Sequence, residues 1–338
     1  MSDGTHIEWT DASWNPLRAR RAPGTGHGGY GPGWVCQRVS PGCQRCYAET
    51  INKRLGTGLS YDAEGLAEST PYLDEAALMK PLHWRKPRKV FVCSMTDLFG
   101  EWVPDEWLDR VFAVMALSPR HTFQVLTKRP ERMRAYLSAP DIEDRVYIAG
   151  DEIDPEDRCP VRQITFPLNN VWMMTSVENQ TEADKRIPEL LATPAAVRGL
   201  SCEPLLGRVD LRLDGEELCG PGPGIDPRRT RTGPNGLHWV IVGGESGPGA
   251  RPMDLAWARS LVAQCQAAGV AVFVKQLGSN PVTACVVHGV SCGGHKWPWN
   301  ENEAQARGKE PRPKLKDRKG GDMTEWPEDL RVRQFPSV

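Results

Sequence analysis

Short apolar, β-branched runs alternate with polar clusters along this chain, and a helical pattern follows most of the clusters. Residues 89–93 (KVFVC) run into Ser94-Met95-Thr96-Asp97, and 121–126 (HTFQVL) run into Thr127-Lys128-Arg129. Residues 171–174 (VWMM) lead to Thr175-Ser176-Val177-Glu178-Asn179, and 197–200 (VRGL) to Ser201-Cys202-Glu203-Pro204. Residues 238–242 (HWVIV) end in Gly243-Gly244-Glu245-Ser246, and 270–274 (VAVFV) in Lys275-Gln276. Apolar runs this short, bounded by turn residues, predict buried parallel strands. Apolar residues at helical spacing predict helices over 105–117, 182–191 and 254–268. With a segment near 7–9 as the first strand, the chain holds about seven βα units, the pattern of a partial or near-complete (β/α) barrel. An open doubly wound sheet is the alternative, and in both the polar strand ends form the active-site face.

Three segments interrupt the rhythm. Residues 18–34 are rich in Gly and Arg and predict a mobile loop, as do residues 215–236 with their GPGPG. Residues 139–167 are acidic, then irregular. The expected division is a barrel over 1–279, carrying these insertions, and an irregular C-terminal extension over 280–338. The end of that extension, 326–336 (WPEDLRVRQFP), has aromatics that would pack back on the barrel.

Composition narrows the class. A 338-residue chain with 39% hydrophobic and 25% charged residues has a globular balance. No run of residues is apolar enough for a bilayer, and the N-terminus lacks the basic-then-apolar order of a signal peptide. A cytoplasmic location without membrane partners is the expectation. The net charge of -1 gives no global attraction for nucleic acid, but basic runs at 18–21, 85–89, 128–134 and 228–231 permit a polyanionic partner or simply line a solvated surface.

Cys36, Cys43 and Cys46 are the densest cluster among the 10 cysteines, spaced C-x6-C-x2-C. Thiolates ligate iron clusters and zinc, and C-x2-C grips one metal or one cluster edge. A structural zinc site requires four ligands, whereas a cubane held by three thiolates leaves one iron open. Ordinary thiols, or zinc completed by a distant ligand, are the other readings. A helix begins at Tyr47, so its positive N-terminus would favour thiolates in the preceding loop.

These residues carry a resemblance. Asn15-Pro16, Ser40-Pro41-Gly42-Cys43 with Cys46-Tyr47-Ala48, Ile7-Glu8-Trp9-Thr10-Asp11 and the polar strand ends resemble the phage-associated three-cysteine-motif proteins. Those are similar to spore photoproduct lyase and its radical S-adenosylmethionine relatives. The resemblance implies a barrel of the radical-SAM type with a [4Fe-4S] cluster on Cys36, Cys43 and Cys46. It also implies S-adenosyl-L-methionine as cofactor, cleaved by one electron to a 5′-deoxyadenosyl radical. The first cysteine gap is six residues, where three is the commoner spacing.

Under that resemblance the cofactor shell comprises Tyr47, Ser94, Thr96, Asp97, Thr127, Lys128, Ser176, Glu178, Asn179, Glu203, Gly243, Gly244 and Glu245. Cys202 is either a hydrogen-atom donor or an inert core thiol, and Cys93 is core. Cys285, His288, Cys292 and His295 are candidates for a second metal, although their central gap is short for a tetrahedron. The implied activity is a lyase or modification reaction on nucleic acid, DNA rather than RNA, in repair or modification. Lys128, Arg129, Arg132 and Arg134 would position phosphates, and some of the 12 tryptophans would offer stacking surfaces. An electron donor such as flavodoxin or ferredoxin is the second expected partner. A small-molecule or protein substrate, and a non-catalytic metal-stabilised binding module, are the alternatives.

Overall fold

The computed structural model describes residues 5, 7–24, 31–154, 164–213, 236–283, 313 and 315–336. In chain order the elements are β1 (Ala12–Trp14), β2 (Leu17–Arg21), α1 (Tyr47–Leu55), α2 (Ala63–Ala67), β3 (Ser69–Leu73), α3 (Glu75–Leu78), α4 (Lys80–His83) and β4 (Lys89–Val92). Then come α5 (Asp105–Ala116), β5 (Thr122–Thr127), α6 (Pro130–Leu137), α7 (Ile142–Ile153), β6 (Val171–Ser176), α8 (Gln180–Leu191) and β7 (Val197–Cys202). The last are β8 (Trp239–Gly243), β9 (Met253–Asp254), α9 (Leu255–Ala267), β10 (Ala271–Gln276) and β11 (Pro281–Val282). The protein is mixed α/β, with parallel strands and helices between them. It divides into two units, one of Met1–Thr175 with Arg186–Arg198, the other of Ser176–Lys185 with Gly199–Val338.

In the first unit β1, β4, β5 and β6 run parallel in that order. Trp14 sits opposite Val92, Val92 opposite Val125, and Val125 opposite Met173. Val90, Phe91 and Val92 are all buried, and so is every residue of β6. Burial of successive residues means both faces are covered, which is why these strands read as unbroken apolar runs. Helix α5 starts on Asp105 and Glu106, which complement its positive end, and buries Leu108, Val111, Phe112 and Met115. A separate antiparallel pair joins β2 to β3, with Leu17 opposite Leu73.

Three expectations are corrected here. The first strand is Ala12–Trp14 rather than 7–9. Residues 7–10 form a turn closed by Thr10 N–H on the Ile7 carbonyl, with Trp9 buried against Phe91 at 4.8 Å. The segment 18–34 is not all loop, because Leu17–Arg21 is strand and Arg18 stacks on the Trp34 ring at 4.3 Å. Residues 25–30 lie outside the described residues. The segment 139–167 contains helix α7, whose buried Ile142, Val146 and Ala149 recur at helical spacing among acidic neighbours. It packs on α5.

In the second unit β7, β8 and β10 run parallel, with Cys202 opposite Val242 and Val242 opposite Val274. The C-terminal segment lies along β10. Val274 N–H donates to the Val332 carbonyl, Gln334 N–H to Val272, and the Trp239 indole to Gln334. The Phe335 ring packs tilted against Trp239 and edge-on against Phe273, each at 5.4 Å. Residues 332–335 therefore pack on β8 and β10. Most of the 215–236 insertion lies outside the described residues, as do Cys159, Cys219 and the Cys285, His288, Cys292 and His295 group. Among the described residues no helix is long and apolar enough to cross a membrane.

Candidate functional site

The cysteine loop lies in the first unit, between β2 and α1. Ser40-Pro41-Gly42-Cys43 forms a tight 3-10 turn, with Cys43 N–H on the Ser40 carbonyl at 3.0 Å. Cys46 is extended and immediately precedes α1, so the backbone N–H groups of Ala48 and Glu49 face its sulfur. Asn52, fully buried one turn after Ala48, fixes the return of the chain. Its Oδ1 accepts from Trp34 N–H at 2.9 Å, and its Nδ2 donates to Thr57 Oγ1 at 2.8 Å and the Leu59 carbonyl at 3.1 Å. Burial opposes ionisation of Glu49, but hydrogen bonds from Arg38 and Lys53 prevail and hold its carboxyl below the usual range.

Side chains around the ends of β4 and β5 hold this loop. The Thr96 hydroxyl donates to the Val35 carbonyl. The Tyr47 hydroxyl donates to the Ser94 carbonyl at 2.6 Å, and Tyr61 to the Met95 carbonyl at 2.8 Å. Arg129 Nη2 donates to the Gln37 carbonyl at 3.1 Å. Asn15 completes the frame by accepting from Met95 N–H at 3.0 Å and donating to Ser94 Oγ at 3.1 Å. Trp34, Ala48, Tyr61 and Met95 form a buried cluster against which Cys36 and Cys46 pack.

The three thiols are part-exposed and electrostatically coupled. Burial pushes the Cys36 thiol up to about 12, and the charges of Asp97, Cys46 and Cys43 act the same way while Arg129 opposes them. Burial also raises Cys46, against the Glu49 and Ala48 amides and the Lys128 charge. Among the described residues no three Cys, His, Asp or Glu side chains are gathered into a ready-made metal site. The donor chemistry nonetheless suits a thiolate-held iron–sulfur cluster. It offers three thiols on one loop, helix amides at Cys46, and the Lys128 and Arg129 charges to offset thiolates.

The structure brings Tyr47, Ser94, Thr96, Asp97, Thr127 and Lys128 into this one network. It gives Asp97 an internal role. Its Oδ1 accepts from the Thr127 hydroxyl at 2.6 Å and Phe99 N–H at 3.1 Å, and its Oδ2 from Lys128 N–H at 3.0 Å and Arg129 at 3.1 Å. Asp97 therefore positions its neighbours. The basic run is engaged likewise. Arg129 also pairs with Glu101 at 2.8 Å, Arg132 bonds the Gly100 and Val103 carbonyls and Asp105, and Arg134 pairs with Glu189. Those carboxylates and carbonyls come from other segments, which the local charge run does not reveal.

The remaining predicted residues lie in the second unit. Ser176 and Glu178 are buried, and Asn179 caps the start of α8 by accepting from Glu182 N–H at 3.0 Å. Glu203, before a cis Pro204, pairs with Lys275 at 2.6 Å and accepts from Gln276 at 3.4 Å. Glu245 is buried and holds Arg251 through both oxygens, at 2.6 and 3.1 Å. The space beside Gly244 is filled by the chain itself, since a Cβ there would stand 2.3 Å from the Leu277 carbonyl oxygen. Cys202 is fully buried, its thiol pushed well up by burial, then by Cys265 and Glu178. Lys275 and Arg251 were not among the expected site residues. Lys275 was findable, as a lone cation closing an apolar strand, whereas Arg251 shows no pattern.

A family model described as "Protein of unknown function (DUF5131)" matches residues 4–310. No curated protein and no solved structure matches the chain.

Proposed function

We propose that this chain, which belongs to the DUF5131 family, is a radical S-adenosylmethionine enzyme on a partial (β/α) barrel, with Cys36, Cys43 and Cys46 as ligands of a [4Fe-4S] cluster. The observation that carries this reading is the attachment of the three-thiol loop to the carboxyl ends of two parallel strands, through Thr96 to Val35 and Arg129 to Gln37. Barrel chemistry is sited at those ends. Bound there, the cluster would supply the electron and the open iron for cleaving S-adenosylmethionine. The chain's own contribution is positioning. Asp97 orients Thr127, Lys128 and Arg129, and Lys128 lends its charge to Cys46. Tyr47 fixes the first turn of α1 to Ser94. A reducing compartment, the cytoplasm, is the proposed location, because cluster-ligating thiolates have to stay reduced.

Anaerobic reconstitution with iron and sulfide, followed by a 5′-deoxyadenosine assay with dithionite, tests this. About four irons per chain and release of 5′-deoxyadenosine are expected. Bound zinc without iron would overturn it. A nucleic-acid substrate is the reading that the family resemblance carries. The internal engagement of Arg129, Arg132 and Arg134 favours a second, a small-molecule or protein substrate. Salt-dependent binding of duplex or single-stranded DNA decides for the first, and no binding at low salt for the second.

A further inference from the structure

Hydrogen-bond donors are shared unequally among the three thiols. Cys46 faces the Ala48 and Glu49 amides, and Cys43 Sγ lies 3.9 Å from the Ser40 hydroxyl. Among the described residues no donor faces Cys36, whose thiol itself donates to the Gln37 carbonyl at 3.9 Å.

The wall on which the thiols pack holds a donor that is also unspent. Trp34, two residues before Cys36, is 6% exposed and belongs to the buried cluster that Cys36 and Cys46 lie against. Its indole Nε1 is buried and, among the described residues, has no hydrogen-bond partner. The hydroxyls around it are committed, Tyr61 to the Met95 carbonyl and Thr96 to the Val35 carbonyl. The chain also holds this indole firmly. Gly33 and Ala19 exchange backbone hydrogen bonds at 2.8 and 2.9 Å, and Trp34 N–H donates to Asn52 Oδ1 at 2.9 Å. The Arg18 guanidinium covers the ring at 4.3 Å. A cation on that face draws electron density from the indole and strengthens its N–H as a donor.

Indole N–H can only donate, and a buried donor without an acceptor is costly, so native chains seldom keep one idle. A metal-bound cysteine is a thiolate, and a thiolate accepts. We infer that the Trp34 indole N–H is the hydrogen-bond donor to the Cys36 sulfur when that sulfur holds a metal or cluster. Each thiol then has its own donor. Trp34 is a positioning residue, which orients the first ligand and, by offsetting thiolate charge, makes a bound cluster easier to reduce. The inference rests on the metal-ligand part of the function proposed above and not on its radical chemistry.

The probe is cadmium ion, a soft metal that thiolates bind without iron. The full metal-free chain, isotope-labelled in its indoles and kept reduced by a phosphine, is titrated with cadmium and followed by NMR. The Trp34 indole proton, assigned by its absence in Trp34→Phe, should move downfield. Those of Trp239 and Trp326, which already bond the Gln334 and Gly320 carbonyls, should stay. Trp34→Phe keeps a ring but loses the donor, and should bind cadmium about tenfold more weakly, as loss of a ligand's outer partner does. After iron reconstitution its cluster should have a more negative reduction potential than the wild type. Circular dichroism checks that the variant is folded. If it is not, Cys36→Ala decides, since the resonance that moves in the wild type should then stay still. The inference is overturned if cadmium does not bind or leaves the Trp34 proton unmoved. It is also overturned if Trp34→Phe matches the wild type in cadmium affinity or in potential. A cadmium response without iron uptake overturns the radical reading alone and leaves this inference standing.

Discussion

Arg129 and Asp97 form an ion pair at 3.1 Å in which the two side chains are only 6% and 8% exposed. The same arginine holds Glu101 and the Gln37 carbonyl, so the pair links the end of β5 to the cysteine loop. Removing one partner from a buried pair strands the other charge, at a cost of about 3–5 kcal/mol. Arg129→Met strands Asp97 and should lower stability in urea by about that amount, whereas Asp97→Ala leaves Arg129 its Glu101 partner and should cost less. In the double variant neither charge is stranded, and its loss should fall well below the sum of the two. Additive losses would show that the pair does not act as a unit.

Thiol accessibility separates the two groups of described cysteines. Cys36, Cys43 and Cys46 are part-exposed, while Cys93, Cys202 and Cys265 are buried. Alkylation of the metal-free native protein, followed by peptide mass spectrometry, should modify Cys43 first, Cys36 and Cys46 more slowly because burial raises their thiols, and the second group only on denaturation. Replacing any one of Cys36, Cys43 or Cys46 by Ala should abolish most iron retention after reconstitution. Cys202→Ala should leave iron content unchanged. Rapid native labelling of Cys202 would contradict its burial.

The parts of the fold that were legible in the sequence are those where one local pattern decides. β4, β5, β6, β7, β8 and β10 fall on their apolar runs to within two residues, because strands buried on both faces have no polar alternation to blur them. The β2–β3 pair was missed because Arg18, Arg20 and Arg21 read as charge and Pro71 as a breaker. In the structure the rings of Trp34 and Tyr72 cover Arg18 and Arg20. The cysteines of the site were legible from spacing. The groups that hold their loop were not, since Tyr61, Asn15 and Arg129 act on distant backbone and side-chain atoms along a path that only the tertiary fold defines.

Two glycines give a contrast on one ground. At Gly244 a Cβ would meet the Leu277 carbonyl oxygen at 2.3 Å and Gly278 Cα at 3.0 Å, both backbone. Gly244→Ala must therefore move the strand-end chain, and a loss of about 1–3 kcal/mol or more is expected. At Gly207 the nearest atom is Asn179 Cβ at 3.5 Å, an ordinary contact. Gly207→Ala should change stability by no more than about 0.5 kcal/mol. Equal melting temperatures for the two variants would contradict the close approach at Gly244.

The pH dependence of stability should carry a component from His121. Its ring is buried edge-on against Trp84 at 5.6 Å and Phe123 at 6.1 Å, with Nε2 3.1 Å from the Pro81 carbonyl oxygen and no partner on Nδ1. Burial lowers its pKa, and the charges of Arg120 and Arg88 add to this, against the Pro81 and Trp84 carbonyls. A folded-state value below the ordinary 6.5 means that the unfolded chain takes up the proton first. This contribution is therefore complete above pH 6.5 and is lost as pH falls from there through the lowered folded value. Urea midpoints between pH 7.5 and 5 should decline more steeply for the wild type than for His121→Gln, whose amide can still donate to Pro81 but does not titrate. Parallel declines would assign the acid sensitivity to other groups.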